Sequence, residues 1–176
     1  MAEEKQVRVI EVVQYNPKWN EEYLKEAGRI RNILKNEINK IYHIGSTSIP
    51  GIYAKPIIDI LIEVNEMGNV DNYNKGLESL GYIAKGEFGI EGRRFFIKGL
   101  YNRTHHVHAF QTGSPEIARH LNFRDYMIAY PDEAKRYEDL KTELAIKFRC
   151  DIDGYCAGKD TYIKEIDKKA ERWEKT

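Results

Sequence analysis

The chain has 176 residues, 28 Lys+Arg balanced by 28 Asp+Glu, and 41% apolar residues, which suits one folded domain around a single core. A formal net charge of zero at pH 7 excludes a whole-molecule field that would draw the protein to nucleic acid or to an anionic membrane, so a charged partner must be met by a local patch. No apolar run reaches the roughly 18 residues of a membrane span.

The opening MAEEKQ is charged, unlike a signal peptide, and a cytoplasmic protein with no membrane partner is expected. Cys150 and Cys156 are too few for a disulfide framework, and without a second Cys/His pair nearby they form no zinc signature. Two reduced thiols are expected.

Residues 7–13 are β-branched and alternate in polarity, which predicts a strand. Asn16-Pro17 then opens a helix over about 17–36, with Asn16 as cap and Pro17 in the first turn. Its apolar residues Trp19, Tyr23, Ala27, Ile30, Leu34 and Ile38 recur every three or four positions and form one core-facing stripe. Residues 41–44 predict a short strand, 45–51 a loop of turn formers, and 56–64 a nearly continuous apolar strand carrying Asp59 and Glu63. A helix over 69–80 ends at Gly81. Short strands follow at 82–84, 94–98 and 106–110, separated by Gly-containing turns. Ser114-Pro115 starts a helix to about 128, and Pro131 divides it from a second over 132–148. A last helix over about 159–173 follows a Gly-containing loop. This order predicts an α+β domain, a mixed β-sheet flanked by α-helices.

Two adjacent features carry chemistry. In the loop Gly45-Ser46-Thr47-Ser48, small residues allow close backbone approach, and successive N–H groups with hydroxyls suit phosphate oxygens. In the strand that follows, Asp59 interrupts an apolar run, where an unpartnered carboxylate would cost several kcal/mol, so a divalent cation or a basic side chain is required. Asp59, Leu61 and Glu63 share one face, but Glu63 lies roughly 13 Å from Asp59 and cannot share its ion. The alternative is that Asp59 caps a loop and Glu63 is solvated.

The string His43-Ile44-Gly45-Ser46-Thr47-Ser48-Ile49-Pro50-Gly51, followed by Ala54-Lys55-Pro56-Ile57-Ile58-Asp59-Ile60, resembles the hallmark of the GrpB family, within the nucleotidyltransferase-fold superfamily. Tyr15-Asn16-Pro17-Lys18-Trp19, His105-His106-Val107-His108 and Leu121-Asn122-Phe123-Arg124-Asp125-Tyr126 extend the resemblance over nearly the whole chain. It implies one nucleotidyltransferase-like domain over 1–176. It also implies a phosphate loop at Gly45 and Ser46, and a first metal-binding, catalytic acid at Asp59. Where the superfamily pattern has a second acid, this chain has Leu61, and the later strand offers His106 and His108 in place of a carboxylate.

A two-metal site needs several carboxylates, so a single-metal or metal-free site is expected. Asp59, His106 and His108 could hold Mg²⁺ or Mn²⁺, or Zn²⁺ as the softer choice. Each histidine could equally be structural, and His43 could line the loop. Thr47, Lys55, Arg94 and Arg124 complete the expected phosphate contacts; for Arg124 an ordinary ion pair with Asp125 is the alternative. The expected ligand is a nucleotide or another phosphorylated small molecule, with divalent-metal nucleotidyl transfer as the reaction. The rival reading is a catalytically degenerate binding or accessory module linked to coenzyme A metabolism, since GrpB-like segments also occur fused to dephospho-CoA kinase. Nucleic acid is disfavoured as a partner.

Overall fold

The computed structural model describes residues 7–174, so the charged opening lies outside the described residues. Helix α1 (Lys18–Leu34) starts where Asn16 supplies two acceptors: its Oδ1 takes the Lys18 N–H at 3.0 Å and its carbonyl takes that of Trp19. Trp19, Ala27, Ile30 and Leu34 are buried along one face of α1, as the spacing requires.

That face covers a five-stranded sheet. Its strands are β1 (Ile38–Ile44), β2 (Ile58–Val64), β3 (Tyr82–Ala84), β4 (Arg94–Lys98) and β5 (His105–Gln111), in the spatial order β1-β2-β5-β4-β3. All neighbours are antiparallel except the central pair, β2 and β5. A parallel pair needs a crossover connection. Here α2 (Met67–Val70), α3 (Asn74–Ser79) and the β3–β4 hairpin form it.

The sheet's two faces follow from the two-residue period of a strand. Ile58, Ile60, Ile62 and Val64 join Val107 and Ala109 in the main core beneath α1. On the opposite face Leu61, Phe110 and Ile44 pack with Ile117 of α4 (Pro115–Ala129). Helices α5 (Pro131–Lys147) and α6 (Ile152–Glu174) extend that second layer around Tyr126, Met127, Tyr137 and Ile166. The α+β architecture, a mixed sheet flanked by helices, is as the sequence predicts. The Ser114 side chain accepts the Glu116 N–H at the start of α4, also as expected.

Three expectations need correction. Residues 7–13 form no strand; they make a single bridge, Val13 to Ala54, and Ile10 packs against Leu144, Ala145 and Tyr155. The segment crosses the helical layer, and the Ile10 N–H bonds the Arg149 carbonyl past the end of α5 at 2.8 Å, where a sheet edge would have offered a ladder. The helix expected over 69–80 is split into α2 and α3 by a 3₁₀ turn, Asp71–Tyr73. The last helix begins at Ile152, seven residues early, and takes Gly154 and Gly158 into its interior.

Glycine costs a helix about 1 kcal/mol relative to alanine, and close packing offsets that cost here. A Cβ on Gly158 would lie 2.5 Å from Leu144 Cδ2 and 3.3 Å from its Cγ, so Gly158 sets the approach of α6 to α5. Replacing Gly158 with Val is expected to overpack this contact by about 2 kcal/mol. In thermal unfolding that is a midpoint lowered by about 4–8 °C; an unchanged midpoint would show that the contact relaxes freely.

Candidate functional site

Burial of Ile58, Ile60 and Ile62 against α1 turns Asp59 to the opposite face of β2. The parallel register sets His106 beside Asp59 and His108 beside Leu61. Beyond β1, Gly45 turns back over the acid at φ +73°, a left-handed conformation that glycine adopts freely. A Cβ there would lie 2.6 Å from Asp59 Oδ2, so close approach is a second reason for glycine. Ser46–Ser48 continues as a 3₁₀ turn. Beneath it Thr47 Oγ1 meets His43 Nε2 at 2.9 Å, and the His43 ring stacks on Tyr23 at 4.8 Å between centroids. Burial pushes His43 down to about 4, so it is neutral at pH 7 and holds the turn in place.

Asp59 Oδ1 receives His106 Nδ1 at 3.2 Å and His108 Nε2 at 3.3 Å. Burial would raise the carboxyl's pKa, but the hydrogen bonds from both histidines outweigh it and hold the group far below the usual carboxylate range. Burial lowers the pKa of His108, against the pull of Asp59. The Nδ1 of His108 lies 3.4 Å from Arg93 Nη1, and the guanidinium is anchored by the carbonyls of Phe88 at 2.7 Å and Glu87 at 3.1 Å. A guanidinium only donates, so His108 Nδ1 accepts and its Nε2 carries the proton shared with Asp59. His106 Nε2 is buried without a hydrogen-bond partner. His120, 5.5 Å from His108 between ring centroids, is pushed down to about 3 by burial above all and by the neighbouring Arg119 charge.

A cavity of about 220 Å³ opens beside this cluster. Gly45–Thr47, Asp59 and His106 form one wall; Lys55, Lys141 of α5 and Lys159 of α6 form the other. Lys55 Nζ and Lys159 Nζ sit 4.8 and 4.5 Å from the Tyr155 ring centroid. Lys141 Nζ sits 4.7 Å from the Tyr137 ring centroid and donates to the Tyr53 carbonyl at 2.7 Å. Burial first, and then repulsion from the other cations, push Lys55 down to about 8 and Lys141 to about 7. Asp59 is the only carboxylate on the cavity wall among the described residues.

The structure brings Gly45, Ser46, Thr47, Lys55, Asp59 and His106 to one cavity, and His108 joins them through Asp59. It does not bring Arg94 or Arg124 to the cavity wall. Arg94 forks onto Asp71 at 2.9 and 3.1 Å at the start of β4. Arg124 is held by Asp125 at 2.7 Å and donates to the His43 carbonyl at 3.0 Å, so it braces the end of β1. Glu63 is buried and accepts from Asn39 at 3.1 Å, which rules out the alternative that it is solvated. Lys141 and Lys159 were not expected at the site. Each nonetheless falls on an apolar helical stripe, Lys141 between Tyr137 and Leu144, Lys159 between Tyr155 and Ile166, and a cation at a core-facing position is a readable signal.

A family model described as GrpB protein matches residues 9–169. The chain is 48% identical over 168 residues to UPF0157 protein YqkA of Bacillus subtilis, covering 96% of this chain and 49% of that protein. A more distant match, 24% identical over 189 residues, covers 93% of this chain and 46% of the dephospho-CoA kinase of Mycolicibacterium paratuberculosis. The chain thus spans about half the length of both. The crystal structure of conserved protein GrpB from Enterococcus faecalis superposes with a TM-score of 0.91 at 44% identity, over 94% of this chain and 100% of that one. A match along nearly the whole sequence, joined to the same fold, places this chain in the GrpB family.

Proposed function

We propose that the protein binds a nucleotide or another phosphorylated small molecule, with phosphate held between the Gly45–Thr47 turn and Lys55, Lys141 and Lys159. One observation carries this reading: three ammonium groups converge on one cavity whose sole carboxylate among the described residues, Asp59, is already engaged by two histidines. Crowded cations at buried and partly buried positions repel one another, and an anion placed among them offsets that repulsion. The Ser46 hydroxyl and the turn's backbone N–H groups suit phosphate oxygens, while the Thr47 hydroxyl is turned inward to His43 and supports the turn from beneath.

For nucleotidyl transfer, the chemistry the superfamily resemblance implies, Asp59 and His106 are the groups at hand. The ionised Asp59 accepts a hydrogen bond from the Nδ1–H of His106, which leaves the lone pair on Nε2 as a base for the proton of an acceptor hydroxyl. Two-metal transfer does not fit, because Leu61 stands at the second acid position, packed with Ile44 and Phe110. That same substitution favours a second reading, a binding module that retains the pocket and lacks the chemistry.

A metal fits this cluster poorly for a further reason. The ligand atoms of Asp59, His106 and His108 lie within 4.8 Å of one another, the spacing of an ion site. A histidine that ligates through Nε2 must donate its Nδ1 proton, however, and at His108 that position faces the donor Arg93. No step is therefore routed through an ion. Replacing Arg93 with Gln, which offers an acceptor, is expected to tighten Zn²⁺ binding by about tenfold or more in a calorimetric titration. Equal affinity in both proteins, with the fold checked by circular dichroism, would show that Arg93 does not oppose ligation.

A thermal-shift panel of nucleotides, coenzyme A precursors and sugar phosphates tests the binding reading. At least one class is expected to raise the wild-type midpoint by linkage and to leave Lys159→Gln unshifted. No shift with any class would overturn the reading. For the ligand that binds, turnover abolished by Asp59→Asn in a folded protein supports transfer, while binding without wild-type turnover supports the module.

The binding should also depend on pH. A phosphate monoester is already dianionic above about pH 7, whereas Lys55 and Lys141, at about 8 and 7, lose protons as pH rises from 7 to 9. A bound anion raises both pKa values, so binding near pH 8 takes up protons and affinity falls by up to about tenfold per pH unit for each lysine. Calorimetry in two buffers of different ionisation enthalpy reads the uptake directly; zero uptake would remove the lysines from the site.

A further inference from the structure

A second cavity, of about 290 Å³, adjoins the first, and Lys55 and Ile57 line both. Beyond Lys55 its walls carry Arg8, from the segment that crosses the helical layer, and Arg103, from the loop between β4 and β5. Glu11 is its only carboxylate among the described residues, and no ion pair joins Glu11 to either arginine there. Arg103 Nε is buried without a hydrogen-bond partner.

The loop that presents Arg103 is tightly built. Gly99 turns at φ +84°, and a Cβ there would lie 2.2 Å from the Asn102 carbonyl oxygen; the Thr104 N–H closes the loop on the Lys98 carbonyl at 3.0 Å.

The cations of the two cavities form one series. Arg8 and Arg103 repel each other, Arg8 and Lys159 both act on Lys55, and Lys55 and Lys159 act on Lys141. In a protein whose formal net charge is zero, five cations gathered along two joined cavities lined by only two carboxylates, Asp59 and Glu11, among the described residues are a local excess of positive charge. The 220 Å³ of the first cavity is below the roughly 300 Å³ at which small-molecule pockets usually begin, so a ligand of ordinary size must extend out of it. The shared Lys55 marks where.

We propose that Arg8 and Arg103 form a second anion subsite, joined through Lys55 to the first, and that the ligand carries at least two phosphate groups, one for each cavity. The proposal rests on the phosphate reading of the first cavity. Arginine suits the outer position, since its planar fork matches phosphate oxygens.

Calorimetric titration of the full chain with orthophosphate, tripolyphosphate and a longer linear polyphosphate tests it. The proteins compared are wild type, Arg8→Gln/Arg103→Gln, and the charge-matched control Lys25→Gln/Lys40→Gln. The longer anions are expected to bind wild type and control at least about tenfold more tightly than orthophosphate. The arginine double variant should lose that margin while keeping its affinity for orthophosphate. A margin that survives in the arginine variant overturns the subsite, as does one lost equally in the control, which would make it general electrostatics. Wild type that ignores orthophosphate but binds the longer anions through Arg8 and Arg103 would overturn the first-cavity reading and keep the subsite. Binding of none of the three anions overturns both.

Discussion

The parallel pairing of β2 with β5 is the constraint on which the rest of the site depends. It opposes Asp59 to His106 and Leu61 to His108, and with the two-residue period of each strand it puts all four side chains on the face away from α1. A slip of one residue would bury Asp59 against α1 and expel Ile58 or Ile60 from the core. The hydrophobic burial that stabilises the sheet therefore also fixes the distances in the polar cluster. Function and stability here share one register.

The helical layer supplies what the sheet lacks. Lys141 and Glu138 of α5 clamp the backbone of Tyr53 from both sides, through its carbonyl and its N–H at 2.7 Å each, and so hold the chain between the Gly45–Ser48 turn and β2. Arg124 of α4 does the same for the end of β1 through the His43 carbonyl. The loops of the cavity are thus fixed by side chains of helices distant in sequence. The aromatic faces of Tyr137 and Tyr155 help make the partly buried ammonium groups of Lys55 and Lys159 and the fully buried one of Lys141 tolerable.

Crowding of like charges is destabilising, and its concentration at one place is informative for that reason. Groups perturbed in this way concentrate at functional sites. The same reasoning separates Arg94 and Arg124 from the cavity lysines. Both arginines have carboxylate partners in the folded chain, on Asp71 and Asp125, and so have no unmet charge to offer.

Local physics was legible in the sequence alone. The α1 stripe, the Asn16 and Ser114 caps, the strands at 82–84 and 94–98, and the apolar β2 with its isolated acid all follow from periodicity and capping. So did Gly45, Ser46, Thr47, Lys55, Asp59 and His106 as a group, because the turn and the acid-bearing strand are close in sequence and resemble a family motif. What only the tertiary structure decided were matters of long-range contact. Residues 7–13 have a strand's composition but found no ladder, and α6 runs through Gly154 and Gly158 because Phe148 packs where a Cβ of the first would lie and Leu144 where a Cβ of the second would lie. Lys141 and Lys159 join the site from helices near the end of the chain, and Arg93 fixes the proton on His108 from the loop before β4. A charge's partner is set by which elements pack together, and packing is a property of the whole chain that no local window contains.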